Sequence, residues 1–186
     1  ELFNGEDLAR RLGSRVATSP RSAAALVAEG FATLGEALFP LLDGAFSLAL
    51  HDGDVLYLVR DPLGEKPLYY YATPGPDQTL LFASEVKALL ADERLVCRPN
   101  LKAMYRLMIF SFPPGPETLF EGVLELEPGC LLRCPAKGEN RLIPYWRLEE
   151  RIDDSASEAT HVERIDQAVQ AAVRRRLPAD GGSVAA

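Results

Sequence analysis

Apolar residues recur at every second position through Phe46, Leu48 and Leu50, and again through Val55, Tyr57 and Val59, with His51-Asp52-Gly53-Asp54 between the two runs. A period of two puts each set on one face of a strand, and a short polar link containing glycine predicts an antiparallel hairpin with a tight turn. Sheets of this kind bury one face, so something must cover it. The next residues, Arg60-Asp61-Pro62-Leu63-Gly64-Glu65-Lys66-Pro67, open a turn in which one glycine and two prolines fix the backbone. Leu68-Tyr69-Tyr70-Tyr71 restarts a strand, which Thr73-Pro74-Gly75-Pro76-Asp77 ends. This run reads as architecture more than as chemistry. Ala83-Ser84-Glu85 predicts a helix N-terminus, because a Ser or a nearby carboxylate can satisfy the free amides of a first turn. Helices are expected near Leu8–Leu12, Ala23–Leu34, Glu85–Leu90 and Leu101–Leu107.

At 186 residues, 47% apolar and 25% charged, the chain is long enough for one core and a piece of a second. A net charge of −7 argues against a nucleic-acid groove, which needs clustered Lys and Arg. The single basic run, Arg174-Arg175-Arg176, suits a solvated helix end at the negative pole of the dipole. The longest apolar stretch is read as Leu107 to Phe112, interrupted by Ser111 and stopped by Pro113-Pro114, which is far short of a membrane span. Nothing reads as a signal peptide. Cys97, Cys130 and Cys134 form no metal-ligand pattern with His51 and His161, so no metal site is expected and reduced cytosolic thiols are the better reading. His51 is expected at a strand end and His161 on an exposed helix. Two histidines in unrelated contexts give no support to a Ser-His-Asp triad.

Several ordered segments together resemble the asparagine synthetase family. Arg60 to Tyr70 matches its RDxxGxKPLYY turn, and Phe82-Ala83-Ser84-Glu85-Val86-Lys87-Ala88-Leu89 its FASExKAL segment. Leu42-Asp43-Gly44-Ala45-Phe46-Ser47-Leu48-Ala49-Leu50 matches the L-x-G-x-FAFAL strand, while Pro116 to Val123 with Glu127-Pro128-Gly129 matches a later stretch, and Tyr145-Trp146 a YW before the second domain. The resemblance implies an α+β fold: an αββα sandwich of two mainly antiparallel sheets, as in N-terminal-nucleophile amidotransferases, followed by the first helix of an α/β synthetase domain. Residues 1–148 would be the glutamine amidotransferase type 2 domain and 149–186 the start of an adenylating domain. Its lead-in helix is read over Ile152–Leu177, with an apolar period through Ile165, Val169, Ala172 and Val173 after Asp153-Asp154-Ser155.

Both ends read as cuts. The family's N-terminal cysteine nucleophile, with the Arg and Asn-Gly that hold glutamine and its oxyanion, would precede Glu1, so no catalytic residue is assigned here. Gly181-Gly182-Ser183 reads as the approach to a nucleotide loop, and Val184-Ala185-Ala186 as the opening of a buried strand. Glu1 is the one glutamine-contact position that still matches the family. A gapless alignment puts the family's S-D-x-E on Ser22-Ala23-Ala24-Ala25, so the aspartate that binds the α-amino group of glutamine is Ala23 here, and that contact is lost. The resemblance further implies a cytoplasmic ligase taking glutamine and aspartate as small-molecule partners, without nucleic acid or membrane, and with a homodimer left open. ATP and Mg would be held by the synthetase domain and not by these residues. The alternatives are a vestigial amidotransferase domain of a lasso-peptide cyclase or β-lactam synthetase, and a non-catalytic structural domain.

Overall fold

The computed structural model describes residues 1–13, 23–73, 79–150, 152–153 and 155–177. The chain divides into two compact units, Glu1–Arg147 and Leu148–Ala186. In the first, helices α1 (Gly5–Arg11) and α2 (Ala23–Leu34) precede a 3-10 segment, Gly35–Leu41. Strands β1 (Ser47–Asp52), β2 (Val55–Arg60), β3 (Tyr69–Ala72) and β4 (Leu80–Ala83) follow. Next come α3 (Val86–Leu89), α4 (Leu101–Phe110), β5 (Leu124–Glu125), β6 (Cys130–Pro135) and β7 (Arg141–Pro144). The second unit contains α5 (Glu158–Arg176).

The expected hairpin forms. Ser47 pairs with Arg60 and Asp52 with Val55, leaving Gly53 and Asp54 as the turn, and Gly53 takes the left-handed φ of 57° that a link this short demands. β2 continues antiparallel onto β6, and β6 onto β7, giving a four-stranded sheet in the order β1-β2-β6-β7. A second antiparallel sheet runs β4-β3-β5.

Alternation sorts the side chains of the four-stranded sheet between two cores. Tyr57, Val59 and Leu131 face α1, α2 and the 3-10 segment, where they meet Leu8, Leu26, Val27, Phe31, Leu38 and Phe39. Phe31 anchors this core, its ring centroid 5.1 Å from Tyr57 and 5.7 Å from Phe39. Leu58, Leu132, Cys130 and Cys134 point the other way and pack with Leu68 and Leu126, against Tyr70 and Leu80 of the smaller sheet. Tyr69, Tyr71, Leu81 and Ala83, on that sheet's opposite face, close on Leu89, Leu95 and Val123. The fold is therefore α+β with two antiparallel sheets.

Five sequence expectations need correction. α3 spans only Val86–Leu89, and neither Ser84 nor Glu85 caps it through a side chain. α4 runs on past Leu107 to Phe110 and ends where Ser111 turns left-handed at φ 64°, two residues before the prolines read as the stop. α5 starts six residues after Ile152, because the hydroxyl of Ser157, not the Asp153 cluster, accepts from a first-turn amide, that of Thr160 at 3.2 Å. The longest apolar helical stretch among the described residues is Ala23–Leu41 rather than Leu107–Phe112. By length and composition it could cross a membrane, but Leu26, Val27, Phe31, Leu38 and Phe39 from it fill the first core. α1, expected at Leu8–Leu12, lies at Gly5–Arg11. The strand expected at Val184–Ala186 lies outside the described residues.

Candidate functional site

The Arg60–Lys66 turn is where the sequence signal was densest, and its polar groups are turned inward. Asp61 is fully buried, and its carboxylate accepts from the backbone N–H groups of Leu63 (3.1 Å), Glu65 (2.9 Å) and Lys66 (3.0 Å). Arg60, 7% exposed, donates to the carbonyls of Lys66 (3.0 Å), Gly64 (2.9 Å) and Leu126 (2.6 Å), and pairs with Glu125 at 2.8 Å. Gly64 sits at φ 68°, with no room for a Cβ between Pro128 and the Arg60 guanidinium. The Tyr145 hydroxyl donates to the Arg60 carbonyl at 2.6 Å, and burial, then the nearby Asp61 carboxylate, holds that phenol above its ordinary range. Tyr145 and Trp146 both donate to the Gly129 carbonyl, while Gly129 donates to that of Asp61. The polar groups of Asp61 and Arg60 and the Tyr145 hydroxyl are engaged by other parts of the chain, so this cluster holds the fold, while Glu65 and Lys66 are exposed.

The position of Glu1 has a different origin. Leu2 bridges Gly44, and Glu1 and Ala45 exchange backbone hydrogen bonds, 2.7 Å from the Glu1 amino group to the Ala45 carbonyl and 3.0 Å in return. A side chain at Gly44 would overlap the Glu1 carbonyl oxygen. Glycine at 44 is thus what lets the first residues lie against the start of β1. A cavity of about 430 Å³ opens beside them. Glu1 and Leu2 form one part of its wall, Ala23, Ala24, Val27 and Ala28 of α2 another, and the edge strand from Phe46 to His51 the rest.

The two positions singled out in the sequence, Glu1 and Ala23, therefore line one cavity. Its wall is mostly methyl and aliphatic, with Glu1, Ser47 and His51 as its polar exceptions. Ser47 and His51 lie four residues apart along β1, roughly 13 Å, so they cannot act as a nucleophile and base on one atom. No thiol reaches the cavity: Cys130 and Cys134 lie in the core between the sheets, and Cys97 is exposed elsewhere. Burial raises the thiol pKa of Cys130, and that of Cys134 to about 11, so both are protonated and unreactive. What the cavity can do is bind a small molecule, with the Glu1 carboxylate, Ser47 and His51 as the polar groups of its wall.

Sequence reasoning missed His51 as a cavity residue, although it did place it at a strand end. The signal was present in the alternation, since 47, 49 and 51 share the face opposite Leu48 and Leu50. That β1 is a sheet edge, open on one side, is not legible from a single strand. His161 lies on α5 as expected but is half-buried, with Nε2 3.2 Å from the Asp153 carbonyl. Among the described residues no three or more His, Cys, Asp or Glu gather in a way that could hold a metal ion. Gly181-Gly182-Ser183 lies outside the described residues.

Comparison with known proteins agrees with this architecture. The family model described as a glutamine amidotransferase domain matches residues 1–146. "Asparagine synthetase [glutamine-hydrolyzing] 3" of Bacillus subtilis is 31% identical over 187 residues, covering 97% of this chain and 29% of that protein. "Asparagine synthetase [glutamine-hydrolyzing] 1" of the same organism is 36% identical over 103 residues, 55% of this chain and 16% of the relative. "Amidase chry2" of Gibberella zeae is 30% identical over 187 residues, 97% of this chain and 26% of that protein. The chain spans less than a third of the length of these relatives. A domain match that runs from Glu1 through Trp146, the two ends tied down by Gly44 and Gly129, places the chain in the glutamine amidotransferase domain family.

Proposed function

We propose that the chain is the glutamine-handling part of an ATP-dependent, asparagine-forming carbon–nitrogen ligase, and that its glutamine pocket is weakened. Family membership and the names of the relatives support the reaction class. One observation carries the weakened pocket: the cavity that holds Glu1 presents a methyl group, Ala23, where the resembling family has the carboxylate that meets the substrate ammonium. In this reading Glu1 holds one polar group of glutamine, the α2 and β1 walls exclude water, and the ammonium is left without its partner. Residues 1–148 form an αββα amidotransferase domain of the N-terminal-nucleophile kind, and residues from 149 open an adenylating domain that takes aspartate. ATP and Mg would supply acyl activation in that domain. No step here runs through them. The protein works in the cytoplasm in this reading, with a homodimer left open.

The chain by itself is inactive in this reading, because none of its cysteines lines the cavity. Glutamate released from glutamine by the purified chain, above a no-protein control, would overturn that. The pocket is tested by Ala23→Asp. A charge-assisted hydrogen bond contributes about 1.5 to 3 kcal/mol, so the variant should bind glutamine roughly ten- to a hundredfold more tightly by calorimetry. Equal affinity in the two proteins removes Ala23 from the ligand position. A second reading, a vestigial pocket in an enzyme that closes a ring within its substrate, is favoured by the alanines at 23 and 25, where the resembling family has carboxylates, and Ala23 lies on that same wall. It prevails if Ala23→Asp binds no glutamine at all.

A further inference from the structure

The core between the two sheets is open at one end. Strand register sets His51, Leu56 and Cys134 side by side across β1, β2 and β6, and Leu80 at the start of β4 meets that row from the smaller sheet. A cavity of about 770 Å³ opens there. It shares only His51 with the cavity that holds Glu1 and Ala23. Leu56, Leu80, Cys134 and Pro135 give it an apolar floor, and the two neighbouring turns supply a charged rim, Asp54 from the β1–β2 turn and Lys137 from the β6–β7 link. His51, Thr79 and Asn140 complete that rim.

The two turns are tied together, the Ala136 amide donating to the Asp54 carbonyl at 2.7 Å, so Asp54 and Lys137 stand at neighbouring places on the rim. Their charges are not spent on the fold. Among the described residues the Asp54 carboxylate and the Lys137 ammonium form no ion pair, with each other or with any third group, and the Asn140 side chain makes no hydrogen bond. The Arg60–Asp61 turn, whose charges are fully engaged, is the opposite case. We propose that this cavity binds a free α-amino acid with a large apolar side chain, its carboxylate at Lys137, its ammonium at Asp54 and its side chain on Leu56, Leu80 and Cys134. A zwitterion answers both rim charges at once, whereas a simple acid leaves Asp54 facing an anion and a simple amine leaves Lys137 facing a cation. The floor sets the side chain, because a polar one would give up its water there without a hydrogen-bond partner. This site is separate from the cavity assigned to glutamine and stands whether or not that assignment does.

Calorimetry on the chain 1–186 with leucine, up to about 10 mM, should show saturable binding. Isocaproate, which lacks the ammonium, and isoamylamine, which lacks the carboxylate, should each bind roughly tenfold more weakly, and glutamine should also bind more weakly than leucine. Asp54→Asn should erase the preference for leucine over isocaproate, and Lys137→Gln the preference for leucine over isoamylamine. Both side chains are exposed, so the thermal midpoint should hold, and Lys102→Gln on α4 should leave binding unchanged. Amide chemical shifts should move at residues 51–56, 79–80 and 134–140. Absence of saturable leucine binding overturns the site. So does leucine binding whose shifts fall at residues 1–2 and 23–28, which would assign it to the other cavity. Isocaproate or isoamylamine binding as well as leucine overturns the zwitterion, as does a preference that survives both substitutions.

Discussion

The Arg60–Lys66 turn and the cavity beside β1 lie on the same sheet and are handled in opposite ways. In the turn, a buried carboxylate and a buried guanidinium spend their hydrogen-bonding capacity on the protein's own backbone and on Glu125. In the cavity, the wall is mostly alanine, valine and leucine, with Phe46, Ser47 and His51 among them and one carboxylate brought in by the first residue. The segment with the strongest family pattern is thus the one whose buried polar groups are spent on the scaffold. The segment that could meet a substrate follows the family along Phe46–Leu50 and departs from it at Ala23. Recognition of a family through its turn motif reports the scaffold, and the ligand site has to be argued separately.

The comparison breaks or sharpens at four points. Asp61→Ala leaves three part-buried amides without the carboxylate they donate to, and should cost about 2 to 4 kcal/mol by urea denaturation. A loss below about 1 kcal/mol would mean that the turn does not hold the sheet. Gly44→Ala sets a Cβ against the Glu1 carbonyl and should cost roughly 2 kcal/mol, with chemical-shift changes at residues 1–2 and 43–46.

The third point concerns pH. The folded pKa of Cys134, at about 11, lies above its unfolded value near 9, so the folded state holds its proton after the unfolded chain has lost it. Its contribution is complete below the unfolded pKa and fades as pH rises through the folded one. Between pH 9 and 11 wild type should therefore lose on the order of 1 kcal/mol more stability than Cys134→Ala, after discounting for partial solvent access. Parallel curves for the two proteins would place this thiol in contact with water. The smallest effect is expected at the cavity. Ala23→Asp puts a carboxylate into the first turn of α2, where the helix dipole favours it, and stability should rise by about 0.3 to 1 kcal/mol or hold level. A large loss there would mean that the cavity wall is as tightly specified as the turn.

Much of the fold was legible because its patterns are local. The β1–β2 hairpin follows from a period of two and a glycine at the turn, and α2 was read with both ends correct. The misplaced ends have local causes too. Asp153-Asp154-Ser155 carries the composition of a helix start, but Asp153 is engaged by the Ser155 amide and hydroxyl and by Arg164, and Ser157 does the capping. At α4 the helix was ended at Leu107, although Ser111, read only as a break in the apolar stretch, is what stops it by turning left-handed, a state that non-glycine residues seldom take. The Ala23–Leu41 stretch was missed because Gly35 and Pro40 divide it on paper, while in space α2 runs on into the 3-10 segment. The cavity was half legible: alignment supplied Glu1 and Ala23, but only the chain path shows that Gly44 brings the first residue to the wall of α2.

The tie between Tyr145 and the Arg60 carbonyl sets a timetable for the growing chain. The β1–β2 hairpin is complete once residue 60 has been made. Arg60, however, finds Leu126 only 66 residues later and Tyr145 only 85 residues later. Contacts of that sequence separation come late, since a long loop must close before they form. During synthesis the hairpin waits with a buried-type arginine and aspartate still in water; the core between the two sheets closes only after Cys134 has emerged, and the Tyr145 tie forms later still. A chain released before that point would carry the family's most recognisable segment without the means to fold it.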